Sequence, residues 1–236
     1  MGVQALGVLG PTGEVKTRAI RKVRNEGFGP GRELTVKEIL QYGAPNRECS
    51  EEVNRWRRHN TANLFRGVRR VLAARALNLP TLYGQLYIRV HRAKTGLWVP
   101  YGLASMRVVT SAGVNFIVDG FQNLVELENM KFHGIGTGST AEASGDTALV
   151  TELTTQYNPD STRATGTTTE GASANIYRTV GTNAVDATVN LREHGVFTQA
   201  ATGDGTLLDR SLFAGINLDS GDSIETTYEL TVVAGG

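Results

Sequence analysis

At Pro80 the hydrophobic period of this chain changes, and that break restricts the folds open to it. Before it, Val53, Trp56, Leu64, Val68, Val71, Leu72 and Leu79 recur at three- and four-residue intervals, the spacing of one helix face. Ser50-Glu51-Glu52 opens that run with an N-cap hydroxyl and two carboxylates where the helix dipole favours negative charge. The pattern predicts a long helix up to Pro80, with His59-Asn60-Thr61 a weak point at which it either continues or bends into two. After Pro80 the period is two. Leu86, Ile88 and Val90 alternate with Tyr87, Arg89 and His91, and Lys94-Thr95-Gly96 turns the chain into Leu97-Trp98-Val99, a hairpin signature that Met106 to Val109 continues.

The rest of the chain sorts around that hinge. Residues 1–34 carry Gly and Pro at Gly10-Pro11, Gly13 and Gly27-Phe28-Gly29-Pro30-Gly31, and a basic run from Lys16 to Arg24. Such a segment buries too little apolar surface to order itself and reads as an extended basic arm. Residues 35–80 form a helical basic segment. It begins at the capping box Thr35-Val36-Lys37-Glu38, with Val36, Ile39 and Leu40 on one face and Gly43 as the stop. Residues 81–236 read as an acidic body. Short helices are expected near 111–123, where Val114, Ile117, Val118 and Phe121 suit one face, and near 145–154, capped by Ser144-Gly145-Asp146. Strands are expected over Ile176 to Val180, Val189 to Phe197, Leu207 to Ile216 and Ser223 to Val233. In the last, Ile224, Thr226, Tyr228, Leu230 and Val232 are predicted to face the core, and Glu225, Thr227, Glu229 and Thr231 the solvent. The class is α+β, mainly β: an extended arm and one long helix, followed by an antiparallel, jelly-roll-like β-sandwich.

Charge divides the chain at nearly the same place. Residues 1–94 hold 18 basic and 7 acidic side chains, net +11, whereas residues 95–236 hold 6 and 16, net −10, and no carboxylate occurs from Val53 through Val118. This split suits a part that meets something charged, including the opposite half of a neighbouring copy. No apolar run approaches the roughly 20 residues that span a bilayer, and Met1-Gly2-Val3-Gln4-Ala5-Leu6 lacks the basic start of an export signal, so no membrane partner is expected.

Catalytic patterns are weak throughout. Gly134-Ile135-Gly136-Thr137-Gly138-Ser139-Thr140 lacks the Lys-Ser/Thr ending of a P-loop and the setting of a dinucleotide fingerprint. It reads as a strand leaving its sheet through a turn that needs positive φ. His59, His91, His133 and His194 show no ligand spacing, Glu193 and His194 as strand neighbours point to opposite faces, and Cys49 is the single cysteine. Asp204, Asp209, Asp219 and Asp222 suit either turn chemistry or calcium. No catalytic residue, cofactor site or metal site is assigned, and no enzyme activity is expected. The one constellation with a function to offer is the long helix, where Arg55, Arg58, Arg66, Arg69, Arg70 and Arg75 flank Trp56, Leu64 and Val68 as a candidate partner interface. Its arginines suit an acidic protein surface or, in the alternative, nucleic-acid phosphates.

Several runs in the second half carry a resemblance. Thr110-Ser111-Ala112-Gly113-Val114-Asn115, Gly134 to Gly138, Gly145-Asp146-Thr147-Ala148-Leu149 with Glu152, Gly195-Val196-Phe197, Gly205 to Arg210, Ile216-Asn217-Leu218, Gly221-Asp222 and Tyr228 to Val232 resemble tailed-bacteriophage virion structural proteins. The likeness covers residues 108–233 and leaves residues 1–107 unmatched. It implies a β-sandwich component of a virion assembled in the host bacterial cytoplasm, without catalytic residues. It also implies major capsid or other virion proteins as partners, and a homo-oligomer. The leading expectation is a capsid cement or decoration protein clamping neighbouring subunits through its N-terminal arm. The alternatives are a head–tail connector, collar or tail-fibre protein and, of another class, a nucleic-acid-binding protein using the Arg-rich helix.

Overall fold

A computed structural model describes residues 29–170 and 173–234. In it, helices α1 (Val36–Gly43) and α2 (Glu51–Ala76) precede the hairpin β1 (Thr81–Arg92) and β2 (Leu97–Val108). Helix α3 (Ser111–Phe121) and a 3₁₀ turn, Leu127–Asn129, follow. The remaining strands are β3 (Phe132–Gly136), β4 (Tyr157–Asn158), β5 (Ala164–Thr165), β6 (Thr167–Glu170), β7 (Ile176–Val185), β8 (Val189–Phe197), β9 (Leu207–Leu218) and β10 (Ser223–Val233). The fold is α+β and mainly β. One antiparallel sheet is ordered β2-β1-β10-β7-β4 with β6 also on β7, and a four-stranded sheet, β5-β3-β8-β9, faces it.

The space between the sheets is filled as the period-two pattern requires. Leu86, Ile88 and Val90 of β1 and Ile224 of β10 meet Ile135, Leu191, Phe213, Ile216 and Leu218 from the opposite sheet, all buried. The expected hairpin forms, with Gly96 at φ +67 in its turn, a conformation that a Cβ would strain. Both faces of the larger sheet are covered, which corrects the expected exposure of β10. Glu225, Thr227, Glu229 and Thr231 are buried, because α1, α2 and residues 29–34 pack on the face they occupy. Their charges are met there. Arg89 pairs with Glu225 at 2.5 Å, and Glu229 accepts from the Gly31 N–H at 3.0 Å with Arg178 at 3.4 Å.

The last part of the segment expected as an arm is not extended from the body. Residues 1–28 lie outside the described residues, but Leu34 is buried beside Ile39, Leu64, Tyr83 and Tyr87, so residues 29–34 belong to the body. The Thr35 capping box forms as predicted. Helix α1 ends at Gly43 as expected, and Gly43 is buried there, where a Cβ would collide with Leu64 of α2.

Helix α2 runs unbroken from Glu51 to Ala76, so His59-Asn60-Thr61 is no bend. Its buried positions are Val53, Trp56, Arg57, Asn60, Leu64, Gly67, Val68 and Val71, a continuous three- and four-residue series in which Asn60 fills the apparent gap. Asn60 donates through Nδ2 to the Ala104 carbonyl of β2 at 2.8 Å and accepts the Ala214 N–H of β9 at 2.8 Å. The Trp56 Nε1–H donates to the Ala214 carbonyl at 2.7 Å. The helix thus spans the edge strands of both sheets, satisfying groups that an open sandwich edge would leave unpaired. At Gly67 it comes so close to β2 that a Cβ would overlap the Met106 carbonyl.

Helix α3 forms where expected, but of the predicted face only Ile117 packs against the core. Gly113 and Phe116 are buried, while Val114, Val118 and Phe121 are exposed. No helix forms over 145–154. That stretch is turns and bends, with a single bridge from Glu152 to Gly136.

Candidate functional site

The irregular segment 137–153 makes a few backbone hydrogen bonds at its base, from Thr137 to Thr151 and from Leu153 to Ile135, and is otherwise held by buried charges. Glu193, fully buried on β8, accepts from the N–H groups of Gly138 at 3.0 Å, Val150 at 3.1 Å and Thr151 at 2.8 Å. Arg210 of β9 meets Glu193 at 2.8 Å and Asp146 at 3.0 Å and donates to the Thr140 carbonyl at 2.9 Å. Arg163 pairs with Glu152 at 2.6 Å, donates to the carbonyls of Gln199 and Asp204, and lies 3.5 Å from the Phe197 ring centroid. Arg107 pairs with Glu142 and donates to the Asn63 carbonyl of α2 at 2.8 Å. These are charge-assisted bonds inside the protein, where leaving either partner alone is costly.

That lacing explains the glycine run. Gly134 and Gly136 sit inside β3 without positive φ, which corrects the expected turn. A Cβ on Gly134 would stand 2.9 Å from a Glu152 oxygen, and one on Gly136 would stand 2.7 Å from a Glu193 oxygen. The glycines make room for carboxylates, not for a phosphate.

Most of the remaining chemistry-bearing groups have partners within the protein. His133 and His194, on paired strands β3 and β8, share a 3.0 Å hydrogen bond, and Thr179 and Thr226 contact His133 at 3.1 and 2.8 Å. Burial pushes the His133 imidazole down to about 3 and His194 well below its ordinary value, where proximity to His133 adds to the effect, so both are neutral. Both histidines are structural, as expected for His194. Asp222 accepts from the N–H groups of Ala93 and Asp219 and from Arg92, and Asp219 pairs with Lys94, which favours the turn reading over calcium. Asp209 lies within β9 rather than in a turn, and burial pushes its carboxyl up to about 7. Among the described residues no group of three or more His, Cys, Asp or Glu is arranged to hold a metal ion. Cys49 is free and half-buried.

The candidate interface divides. Trp56, Leu64 and Val68 are buried against the protein's own sheets, so they are not available to a partner. Arg75 is half-buried, donating to the Tyr83 hydroxyl at 2.5 Å and pairing with Glu33 at 3.3 Å. Arg57, not among the candidates, is buried and donates to the carbonyls of Tyr101 and Ala44. Arg55, Arg58, Arg66, Arg69 and Arg70 face solvent, with Arg58 on Glu51 at 2.8 Å and Arg66 only 3.7 Å from Glu142.

Arg55 to Arg70 spans 15 helix positions, about 22 Å at 1.5 Å per residue. A trough runs beside this face, between α2 and strands β8 and β9. His59 and Arg192 line its whole length, with Arg55 toward one end and Arg66 toward the other. Arg192, exposed on β8, extends the cationic surface onto the acidic half of the chain. It was not apparent in the sequence, where its only signal is a lone arginine in a strand between Asp186 and Glu193. The carboxylates at the ends of the trough are already engaged. Glu142 pairs with Arg107. Burial pushes the Glu52 carboxyl up, but the Tyr101 hydroxyl and the Arg92 guanidinium, 2.7 and 2.6 Å away, more than offset it and hold it below the ordinary range. The result is a rigid, concave, positively charged surface suited to focusing field on an anionic partner.

Comparison with family models, with curated proteins and with solved structures finds no match to this chain. Among the described residues no helix is long and apolar enough to cross a membrane.

Proposed function

We propose that this chain is a structural subunit of a tailed-bacteriophage virion, a capsid cement or decoration protein that docks onto an acidic surface of neighbouring capsid subunits through the solvent face of α2. The observation that carries the reading is the rigid arginine face of Arg55, Arg66, Arg69 and Arg70 beside Arg192, held against both sheets by Asn60 and Trp56. One other supports it. The residues on which the resemblance to virion proteins rests include Gly134, Gly136, Asp146, Glu152 and Arg210, all members of the buried lacing or the spaces around it.

On this reading the charges of the arginine face set register and partner choice. Reversing Arg66, Arg69 and Arg70 together to Glu is expected to abolish occupancy of capsids in a reconstitution assay without lowering the melting temperature. Full occupancy by the reversed protein would refute the role assigned to α2.

The nucleic-acid reading is favoured by one observation, the trough itself, since a concave cationic channel also suits a phosphate backbone. It predicts duplex or single-strand binding that weakens steeply with salt, with a logarithmic slope of about −0.9 per phosphate neutralised on duplex DNA. A head–tail, collar or tail-fibre position uses the same surface with far fewer copies per particle.

A further inference from the structure

The exposed face of α3 borders an apolar groove. Leu82, Phe116, Ile117, Phe121, Leu127 and Val232 line a cavity of about 200 Å³, enough for a branched aliphatic side chain. Around it the surface is unusually apolar for a soluble body: Phe121 is 81 % exposed, Leu124 67 % and Val232 53 %. The rim is acidic. Asp119 and Glu126 line the depression on one side of α3, and Glu128 and Glu170 line the one adjoining Leu127 on the other. Among the described residues none of these four carboxylates has a cation within ion-pair distance.

One segment of the chain has the complementary composition. Residues 15–24 read Val-Lys-Thr-Arg-Ala-Ile-Arg-Lys-Val-Arg, five cations around Val15, Ile20 and Val23 with no carboxylate between them. The place where the described chain begins brings that segment near the groove. The Gly29 carbonyl accepts from Arg178 at 3.2 Å and the Gly31 N–H donates to Glu229 at 3.0 Å, so the chain joins the larger sheet at the Arg178–Glu229 rung. The next rung is Tyr177–Leu230, whose side chains lie on the opposite face and line the groove. Only β6 lies beyond β7 at this level, with Glu170 opposite Tyr177. The nine residue steps from Gly29 back to Ile20 span up to about 30 Å, enough to round that edge.

We propose that the groove beside α3 is the docking site for residues 15–24 of the same copy, with Ile20 or Val23 filling the cavity and the five cations meeting Asp119, Glu126, Glu128 and Glu170. A tethered segment sees its site at an effective concentration that a separate copy matches only at high protein concentration, so the contact closes within one molecule in dilute solution. This inference does not depend on which surface α2 meets.

The test uses the full chain with Cys49→Ser, carrying Ile20→Cys together with Leu124→Cys. A control pairs Ile20→Cys with Leu77→Cys, a 69 % exposed position at the end of α2. Oxidation of an equal mixture of isotopically light and heavy protein at low micromolar concentration, read by mass spectrometry, separates bonds within a copy from bonds between copies. The I20C–L124C pair is expected to close within single copies about tenfold faster than the control. Adding Glu126→Lys, Glu128→Lys and Glu170→Lys should erase that advantage. Equal rates for the two pairs would overturn the proposal, and so would light–heavy bonds alone, which would give the groove to a neighbouring copy's arm.

Discussion

Asn60→Ala tests how firmly α2 is fixed to the sandwich. The side chain is fully buried and bridges the Ala104 carbonyl on β2 and the Ala214 N–H on β9, each at 2.8 Å. Truncation strands both backbone groups. An orphaned buried group costs roughly 1–3 kcal/mol; Ala104 is fully buried, whereas Ala214 is half-buried and recovers part of its loss from water, so the expected cost is about 2–4 kcal/mol. For a chain of this size that corresponds to a fall in melting temperature of about 5–15 °C. Asn63→Ala is the matched control. It lies one turn further on, contributes its backbone carbonyl rather than its side chain to Arg107, and carries the same gain in helix propensity, which the comparison cancels. Thermal unfolding followed by circular dichroism reads both variants. If Asn60→Ala lost no more than Asn63→Ala, the helix would not be clamped across the two edges and the rigidity assigned to its arginine face would fail.

Three further outcomes follow from the buried framework. Glu193→Gln should weaken the hold of Arg210 and of the N–H groups at 138, 150 and 151, and hydrogen exchange should accelerate over 137–153 while β1 and β10 stay protected. Asp209 has a folded pKa of about 7, above the ordinary carboxylate range, so its contribution is fully present at low pH and lost as pH rises through about 7. Asp209→Asn should therefore match the wild type near pH 4 and exceed it in urea midpoint at pH 8. His133 has the opposite sign. Its folded pKa of about 3 lies below the unfolded value, so its contribution is present above about pH 6.5 and lost as pH falls toward 3. A His133→Gln variant should show a shallower loss of stability over that window than the wild type, and an unchanged slope would refute the neutral, buried assignment.

How much of this could be seen in the sequence depended on whether a position followed its period. The α2 stripe from Val53 to Leu72, the β1–β2 hairpin at Gly96 and the limits of β8 and β10 are set by apolar spacing and turn residues and appear as expected, whereas α2 ends at Ala76 and leaves Leu79 outside the helix and exposed. What spacing could not show was polar burial. Asn60 looks like a weak point because its partners, 44 and 154 residues away, are backbone atoms of two strands. Glu225 and Glu229 look like solvent positions because nothing local announces Arg89, Arg178 and the Gly31 N–H. The Gly-rich run looked like a turn because glycine serves close approach and positive φ equally, and only the fold reveals that Glu152 and Glu193 occupy the space. On α3 the amphipathic reading chose a face of which only Ile117 packs against the core, since Val114, Val118 and Phe121 are as apolar as the buried Phe116. The candidate interface was legible in part: Arg55, Arg58, Arg66, Arg69 and Arg70 reach solvent, but Arg75 and the apolar residues between them are engaged within the protein.

Counting this chain in purified virions by quantitative mass spectrometry tests the central claim most directly. A capsid cement is expected at hundreds of copies per particle, in a fixed ratio to the major capsid subunit, because every symmetry-related junction offers the same site. A count of about a dozen or fewer would move the protein to the head–tail or tail assembly, and its absence from particles would contradict the structural role itself.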